Sequence, residues 1–187
     1  MKKTEFRKRQ KQLLKDFSLS KQKKQEDKLL MKNLIDNDLV KDSQTIGITS
    51  SLPMEVDTSE IIAWLWDAGK DVYLAKANPD RSQDFLQYTY QSKLVKSSFG
   101  VEEIADEDAK VKNELDLIIV PGLAFAVDNH DRLGFGGGYY DRFLAKYPNS
   151  KTVALANSKM IYNTVQWPVE KTDIAIQTII TPTKIFN

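Results

Sequence analysis

The run Arg132-Leu133-Gly134-Phe135-Gly136-Gly137-Gly138-Tyr139-Tyr140-Asp141-Arg142 brings glycines, two guanidinium groups and a carboxylate into one short segment. Glycines let a backbone approach an anion closely. The free amides of such a loop, continued by a helix N-terminus, offer partial positive charge to phosphate. Arg132 and Arg142 can neutralise phosphate oxygens, and Asp141 is the hard oxygen ligand that magnesium takes when it bridges phosphates. The chemistry these residues predict is nucleotide-phosphate binding. The spacing matches neither common fingerprint: a dinucleotide motif starting at Gly134 needs glycine where Tyr139 stands, and no Gly-Lys-Ser/Thr completes a P-loop.

Other chemistries are poorly supplied. The chain has no cysteine, which removes disulfides, thiolate zinc sites and cysteine nucleophiles. Its one histidine, His130, sits between Asn129 and Asp131 in a polar stretch and reads as a surface-loop residue rather than the base of a triad. Tyr139 is a candidate ligand contact, whereas Tyr140 is in register with the apolar face of the following helix. Trp64, Trp66 and Trp167 show no spacing that sets them apart from core.

With a formal charge of +1 over 187 residues, no global field favours nucleic acid. The segment from Lys2 to Lys24 is strongly basic, with only Glu5 and Asp16 against it, and reads as a solvated helix face on which one or two cations could meet an anion. An RNA-binding role for it lacks the aromatic interleaving of a single-strand platform. No apolar run approaches bilayer length, and no apolar segment follows the basic start. The expectation is a cytoplasmic monomer with neither nucleic-acid nor membrane partner.

The elements that must position the glycine loop follow from periodicity. Phe6, Leu13, Leu14 and Phe17, then Leu29, Leu30, Leu34 and Ile35, predict two helices over residues 1–40, with Ser18 or Ser20 capping the second. Thr45 to Ser50 reads as a strand. Asp57 with Glu60 predicts a helix start leading to Gly69, and Asp71 to Ala75 a second strand, together a βαβ unit with parallel pairing. Phe85 to Tyr90 predicts a short strand, and 93–109 an irregular connection. Leu115 to Val120 is unbroken and apolar, as a strand buried on both faces requires. Tyr140, Phe143, Leu144 and Tyr147 predict a helix over 139–147, stopped by Pro148. Thr152 to Ala156 and Ile174 to Ile180 complete the strands. The expectation is one domain over 1–187: an open three-layer α/β/α fold with a mostly parallel sheet, Rossmann-like but without the dinucleotide fingerprint.

Pro121-Gly122-Leu123-Ala124-Phe125, followed by Arg132-Leu133-Gly134 and Gly136-Gly137-Gly138-Tyr139-Tyr140-Asp141-Arg142, resembles the signature of the 5-formyltetrahydrofolate cyclo-ligases, also called methenyltetrahydrofolate synthetases. The resemblance covers most of the chain. Lys3-Thr4-Glu5-Phe6-Arg7 is similar to the family's N-terminal Lys-x-x-x-Arg, which implies that Lys3 and Arg7 reach ATP phosphates. Glu55, between Pro53 and Asp57, matches the family's folate-binding glutamate, with Ser50 at the associated position. Asp173 resembles a second magnesium aspartate beside Asp141. The chain departs from the pattern at Thr172 and Gln177, where the family carries His and an acid, and at Gly100-Val101-Glu102-Glu103-Ile104.

What the resemblance implies is magnesium-dependent use of ATP as co-substrate to cyclise 5-formyltetrahydrofolate, with or without a polyglutamate tail. The product is 5,10-methenyltetrahydrofolate, formed through a phosphorylated formyl group with release of ADP and phosphate. ATP contacts are then expected at Lys3, Thr4, Glu5, Phe6 and Arg7 and along the loop from Arg132 to Tyr140. Lys3, Arg7 and Arg132 would stabilise charge. Ser50, Glu55 and Tyr139 would hold the folate, and Asp141 and Asp173 the Mg2+. The rival expectation is a binder that keeps the site but has lost turnover through Thr172 and Gln177.

Overall fold

The structure is a computed structural model that describes residues 2–187. Helices α1 (Lys3–Ser18) and α2 (Lys21–Ile35) form as the periodicity predicts, burying Phe6, Leu14 and Phe17 from the first and Leu30 and Leu34 from the second. Ser20, not Ser18, caps α2, its hydroxyl accepting from Lys23 N at 3.1 Å. A third short helix, α3 (Asp38–Lys41), was not expected; Asn37 caps it by accepting from Leu39 N.

The βαβ unit is present as β1 (Thr45–Ile48), α4 (Ser59–Asp67) and β2 (Asp71–Ala77), with β1 and β2 parallel. Its details differ from the sequence reading. Strand β1 ends at Ile48 rather than Ser50, because the Thr49 carbonyl accepts from Thr58 Oγ1 and Ser51 N donates to the same hydroxyl, turning the chain toward α4. Thr58, not Asp57, is the N-cap residue of α4. Asp57 sits one position earlier and accepts from Ser59 N at 2.9 Å.

Strand β3 (Gln83–Gln87) begins two residues before the predicted span and runs antiparallel to β2. The connection expected to be irregular contains a hairpin, β4 (Leu94–Lys96) with β5 (Glu102–Ile104), held partly by burial of Ile104 and Glu103. Strand β6 (Leu117–Ile119) is buried throughout, as its unbroken apolar run requires. Then follow β7 (Ala124–Ala126), β8 (Arg132–Leu133), α5 (Tyr139–Lys146), β9 (Lys151–Leu155), β10 (Ile161–Tyr162), β11 (Thr178–Ile180) and β12 (Ile185–Phe186). Strand β11 is shorter than the predicted 174–180 span, since Ile174, Ile176 and Gln177 bond Asp141, His130 O and Thr152 rather than pairing backbone to backbone with a neighbouring strand.

The main sheet has the order β12-β11-β9-β6-β1-β2-β3. Its five inner strands are parallel and the two edges, β12 and β3, antiparallel. Helix α2 packs on β11, α4 on β2 and α5 on β3, giving the α/β/α layering. A second small sheet, β10-β7-β8, carries the glycine loop. The apolar run 115–120 and the helix pattern over 139–147 predict that loop directly between β6 and α5. The hairpin β7–β8 intervenes, so the loop leaves an antiparallel strand instead. No helix among the described residues is long and apolar enough to cross a membrane.

Candidate active site

From β1 the chain steps outward through α4 to β2, and later returns on the opposite side of β1 as β6, then β9 and β11. The loops leaving β1 and β6 therefore diverge. Open α/β sheets bind ligands at this switch point, beyond the carboxyl ends of the strands. Here the cleft is lined by Thr49, Ser51 and Glu55 from the β1 side and by Pro121 and Gly122 from the β6 side, with Leu155 and Met160 also in its wall.

Glu55 is 7% exposed, and its Oε2 accepts from Leu52 N at 2.6 Å. Burial pushes its carboxyl up to about 7, against the opposing pull of the Leu52 amide and the Lys23 ammonium. A carboxyl so placed can either accept a hydrogen bond or hold a proton near neutral pH. Ser50 lies half-buried in the same loop.

The glycine loop is set by its neighbours. Gly136 has φ +112° and Gly138, the N-cap residue of α5, has φ +67°, conformations that a side chain rarely adopts. Gly138 O starts α5 by accepting from Arg142 N at 3.1 Å. Arg7 reaches across from α1 and donates its Nε to Gly134 O at 2.9 Å. Arg132 is buried, with Nη2 on Asp141 Oδ1 at 2.9 Å and Nη1 on Pro121 O at 3.2 Å. Its guanidinium lies 5.7 Å from the Tyr140 ring centre. The Tyr140 hydroxyl bonds Thr49 Oγ1, and burial raises its pKa. Arg142 turns outward instead, onto the carbonyls of Arg81 and Gly137 and over the Tyr139 ring. Tyr139 also meets Phe99, from the β4–β5 hairpin, edge-on at 5.9 Å.

Of the N-terminal run, Lys3 and Arg7 turn toward the loop region. Thr4 and Glu5 are exposed, and Phe6 is spent on packing against Tyr162 and Trp167. Leu133 is likewise core, so any ligand contact there comes from backbone. Lys3 Nζ lies 2.6 Å from Asp173 Oδ2. Asp141 and Asp173 are brought together, because Ile174 N donates to Asp141 Oδ1.

No cluster of three His, Cys, Asp or Glu residues suited to a metal occurs among the described residues. Two carboxylates nonetheless fit magnesium, which commonly takes one or two and completes its shell with water and phosphate oxygens. The bonds to Asp141 fall on Oδ1 and those to Asp173 on Oδ2.

The sequence profile of the 5-formyltetrahydrofolate cyclo-ligase family matches residues 1–182. The chain belongs to this family. The 5-formyltetrahydrofolate cyclo-ligase of Escherichia coli K12 is 34% identical over 149 residues, covering 78% of this chain and 81% of that protein. The Haemophilus influenzae cyclo-ligase is 28% identical over 148 residues, 77% of each. The solved structure of 5,10-methenyltetrahydrofolate synthetase from Aquifex aeolicus superposes with a TM-score of 0.81 at 24% identity, over 99% of this chain and 92% of that one. That likeness shows that the fold is the cyclo-ligase fold.

Several residues of the site region carry no signal in the sequence. Gln10 looks like one more polar residue of α1. Yet it is 2% exposed, donates to the carbonyls of Leu123 and Lys159, and accepts from the Tyr162 hydroxyl. His130 is more than a surface-loop residue: with φ 56° its Nδ1 faces the carbonyls of Ile176 and Gln177, so that nitrogen carries the proton. It clasps the β7–β8 turn to the segment after Asp173. The Asp131 carboxyl is raised by burial and by repulsion from Asp128 and Asp173, opposed by Lys3. Gln177 is engaged with Thr152, accepting from its N–H and donating to its hydroxyl.

Proposed function

We propose that the chain catalyses the ATP- and magnesium-dependent cyclisation of 5-formyltetrahydrofolate to 5,10-methenyltetrahydrofolate, releasing ADP and phosphate. Family membership supports the ring closure. The observation that carries the rest is that the Glu55 cleft and the glycine loop share one polar centre: Tyr140 joins them, its hydroxyl on Thr49 and its ring against Arg132.

An N-formyl oxygen is a poor leaving group. Its attack on the γ-phosphorus of ATP breaks the bond to the β-bridging oxygen and releases ADP, leaving the formyl oxygen phosphorylated and its carbon electrophilic. N10 then attacks that carbon and loses its proton. The C–O bond breaks and phosphate departs with the former formyl oxygen. Such transfer needs positioning and charge neutralisation more than a protein nucleophile.

In this reading the backbone of Gly134 to Gly138, with the run 132–140 around it, cradles phosphate, while Lys3, Arg7 and Arg132 neutralise it. Asp141 and Asp173 would hold Mg2+, which supplies further charge neutralisation on the phosphates. Glu55, with Ser50 and Tyr139, orients the reduced pterin or its formyl group. Lys3 and Arg132 are already paired with Asp173 and Asp141, so cations and carboxylates are pre-positioned in balance before ligands add their own charge.

The test is an omission assay on purified protein. Methenyl product is expected only with 5-formyltetrahydrofolate, ATP and magnesium together. Binding of either ligand without turnover would identify a non-catalytic binder and sink the enzyme reading.

A further inference from the structure

Gln83 opens β3, and its side chain lies on the strand face shared by Phe85. Phe85 meets the Tyr140 ring edge-on at 6.5 Å. Two residues before Gln83, the Arg81 carbonyl accepts from Arg142 at 2.6 and 3.0 Å. Gln83 is thereby fixed against the helix that starts at the glycine loop, next to the Tyr140–Thr49 pair. β3 runs antiparallel to β2, with Gln83 opposite Ala77, so it stands at the carboxyl end of the parallel strands, where the ligand crevice opens.

The residue is 7% exposed, and its Nε2 has no hydrogen-bond partner among the described residues. The amide acts on the Tyr140 hydroxyl in the sense of a donor, lowering its pKa against the effect of burial, yet the two make no formed hydrogen bond. A buried N–H left unpaired costs stability. Leucine or methionine would fill the same volume without that cost, and the neighbouring positions, Phe85 and Leu86, are apolar. An orphaned donor at a ligand crevice is what remains when the acceptor belongs to the ligand. The group is uncharged, so it suits a neutral carbonyl-type acceptor, whereas the phosphate side of the site is ranged with Lys3, Arg7 and Arg132.

We propose that Gln83 is a substrate-binding, specificity-determining residue whose Nε2 donates to a carbonyl-type acceptor of the reduced pterin. This rests on the functional reading above, in which the Glu55 cleft, joined to the glycine loop through Tyr140, receives the folate. A site built around such a donor discriminates strongly against ligands that leave it unpaired.

The test compares Gln83→Met with wild type. The KM for 5-formyltetrahydrofolate should rise roughly tenfold, the equivalent of one lost neutral hydrogen bond. The KM for ATP should stay put and the melting temperature should not fall. An unchanged folate KM with a raised melting temperature overturns the inference, since the amide would then be a structural orphan only. Wild-type turnover in the same assay keeps that failure distinct from failure of the functional reading. If Gln83→Met does not fold, NMR on the wild-type protein decides: the Gln83 side-chain amide resonances should shift on adding 5-formyltetrahydrofolate and not on adding ADP. Failure to shift with the folate overturns the assignment.

Discussion

The ammonium of Lys3 and the carboxylate of Asp173 lie 2.6 Å apart across 170 positions of sequence. The pair joins the first turn of α1 to the segment before β11, and neighbours of both meet the run 132–142, Arg7 at Gly134 O and Ile174 at Asp141. Asp173→Asn removes one of the two proposed magnesium ligands and leaves Lys3 with only the longer 3.7 Å ion pair to Glu170. It should raise the magnesium concentration needed for half-maximal activity, measured by magnesium titration at saturating ATP. An unchanged requirement removes Asp173 from the metal site.

Arg132→Ala deletes a buried guanidinium that faces Asp141 and Pro121 O. Breaking such a pair leaves a carboxylate without its counter-charge, a loss on the order of 3 kcal/mol that a shifted denaturation midpoint would report. The ATP KM should rise roughly ten- to hundredfold, the range of a lost charged hydrogen bond, with folate binding little changed. Equal loss of both ligands contradicts the phosphate role.

The loop itself was legible because glycine, arginine and aspartate types at fixed spacing constrain backbone and charge locally. The parallel sheet was legible for a similar reason, since strands buried on both faces read as unbroken apolar runs. What escaped was set by distant partners. Gln10, Gln83 and His130 are ordinary residues in their local sequence, and only the approach of other elements makes a buried clasp or an orphaned donor of them. The hairpin β4–β5 escaped because its strands are three residues long, too short for alternation to show.

Glu55→Gln carries a pH signature. The unfolded carboxyl titrates near 4.5 and the native one at about 7. Between those values the native state keeps a proton the unfolded state has lost, so stability falls as pH rises through the window, and the penalty is full above it. The variant should therefore melt higher than wild type at pH 8, by on the order of 3 kcal/mol in stability, and match it at pH 4. Its KM for 5-formyltetrahydrofolate should rise while that for ATP holds. Equal melting at both pH values would show that the carboxyl is not perturbed.

Gly138→Ala forces a side chain into a left-handed N-cap conformation beside the Arg142 guanidinium. It should cost about 1 kcal/mol of stability and weaken nucleotide binding more than folate binding. Isothermal titration with ADP and with 5-formyltetrahydrofolate would separate the two.

Gln10→Leu takes the partner from two carbonyls and from the Tyr162 hydroxyl between α1 and the small sheet. Each orphaned buried group costs about 1–3 kcal/mol, so the melting temperature should drop clearly, with loss of activity at 37 °C following from it rather than from altered KM values. A variant as stable as wild type would contradict the clasp.

The proposed chemistry makes the departing phosphate carry the formyl oxygen. Turnover of 5-formyltetrahydrofolate labelled with oxygen-18 at the formyl group, with unlabelled ATP and magnesium, tests it most directly. One labelled oxygen in each phosphate released is the predicted result. Phosphate free of label, with methenyl product still formed, would contradict transfer of the phosphoryl group to the formyl oxygen.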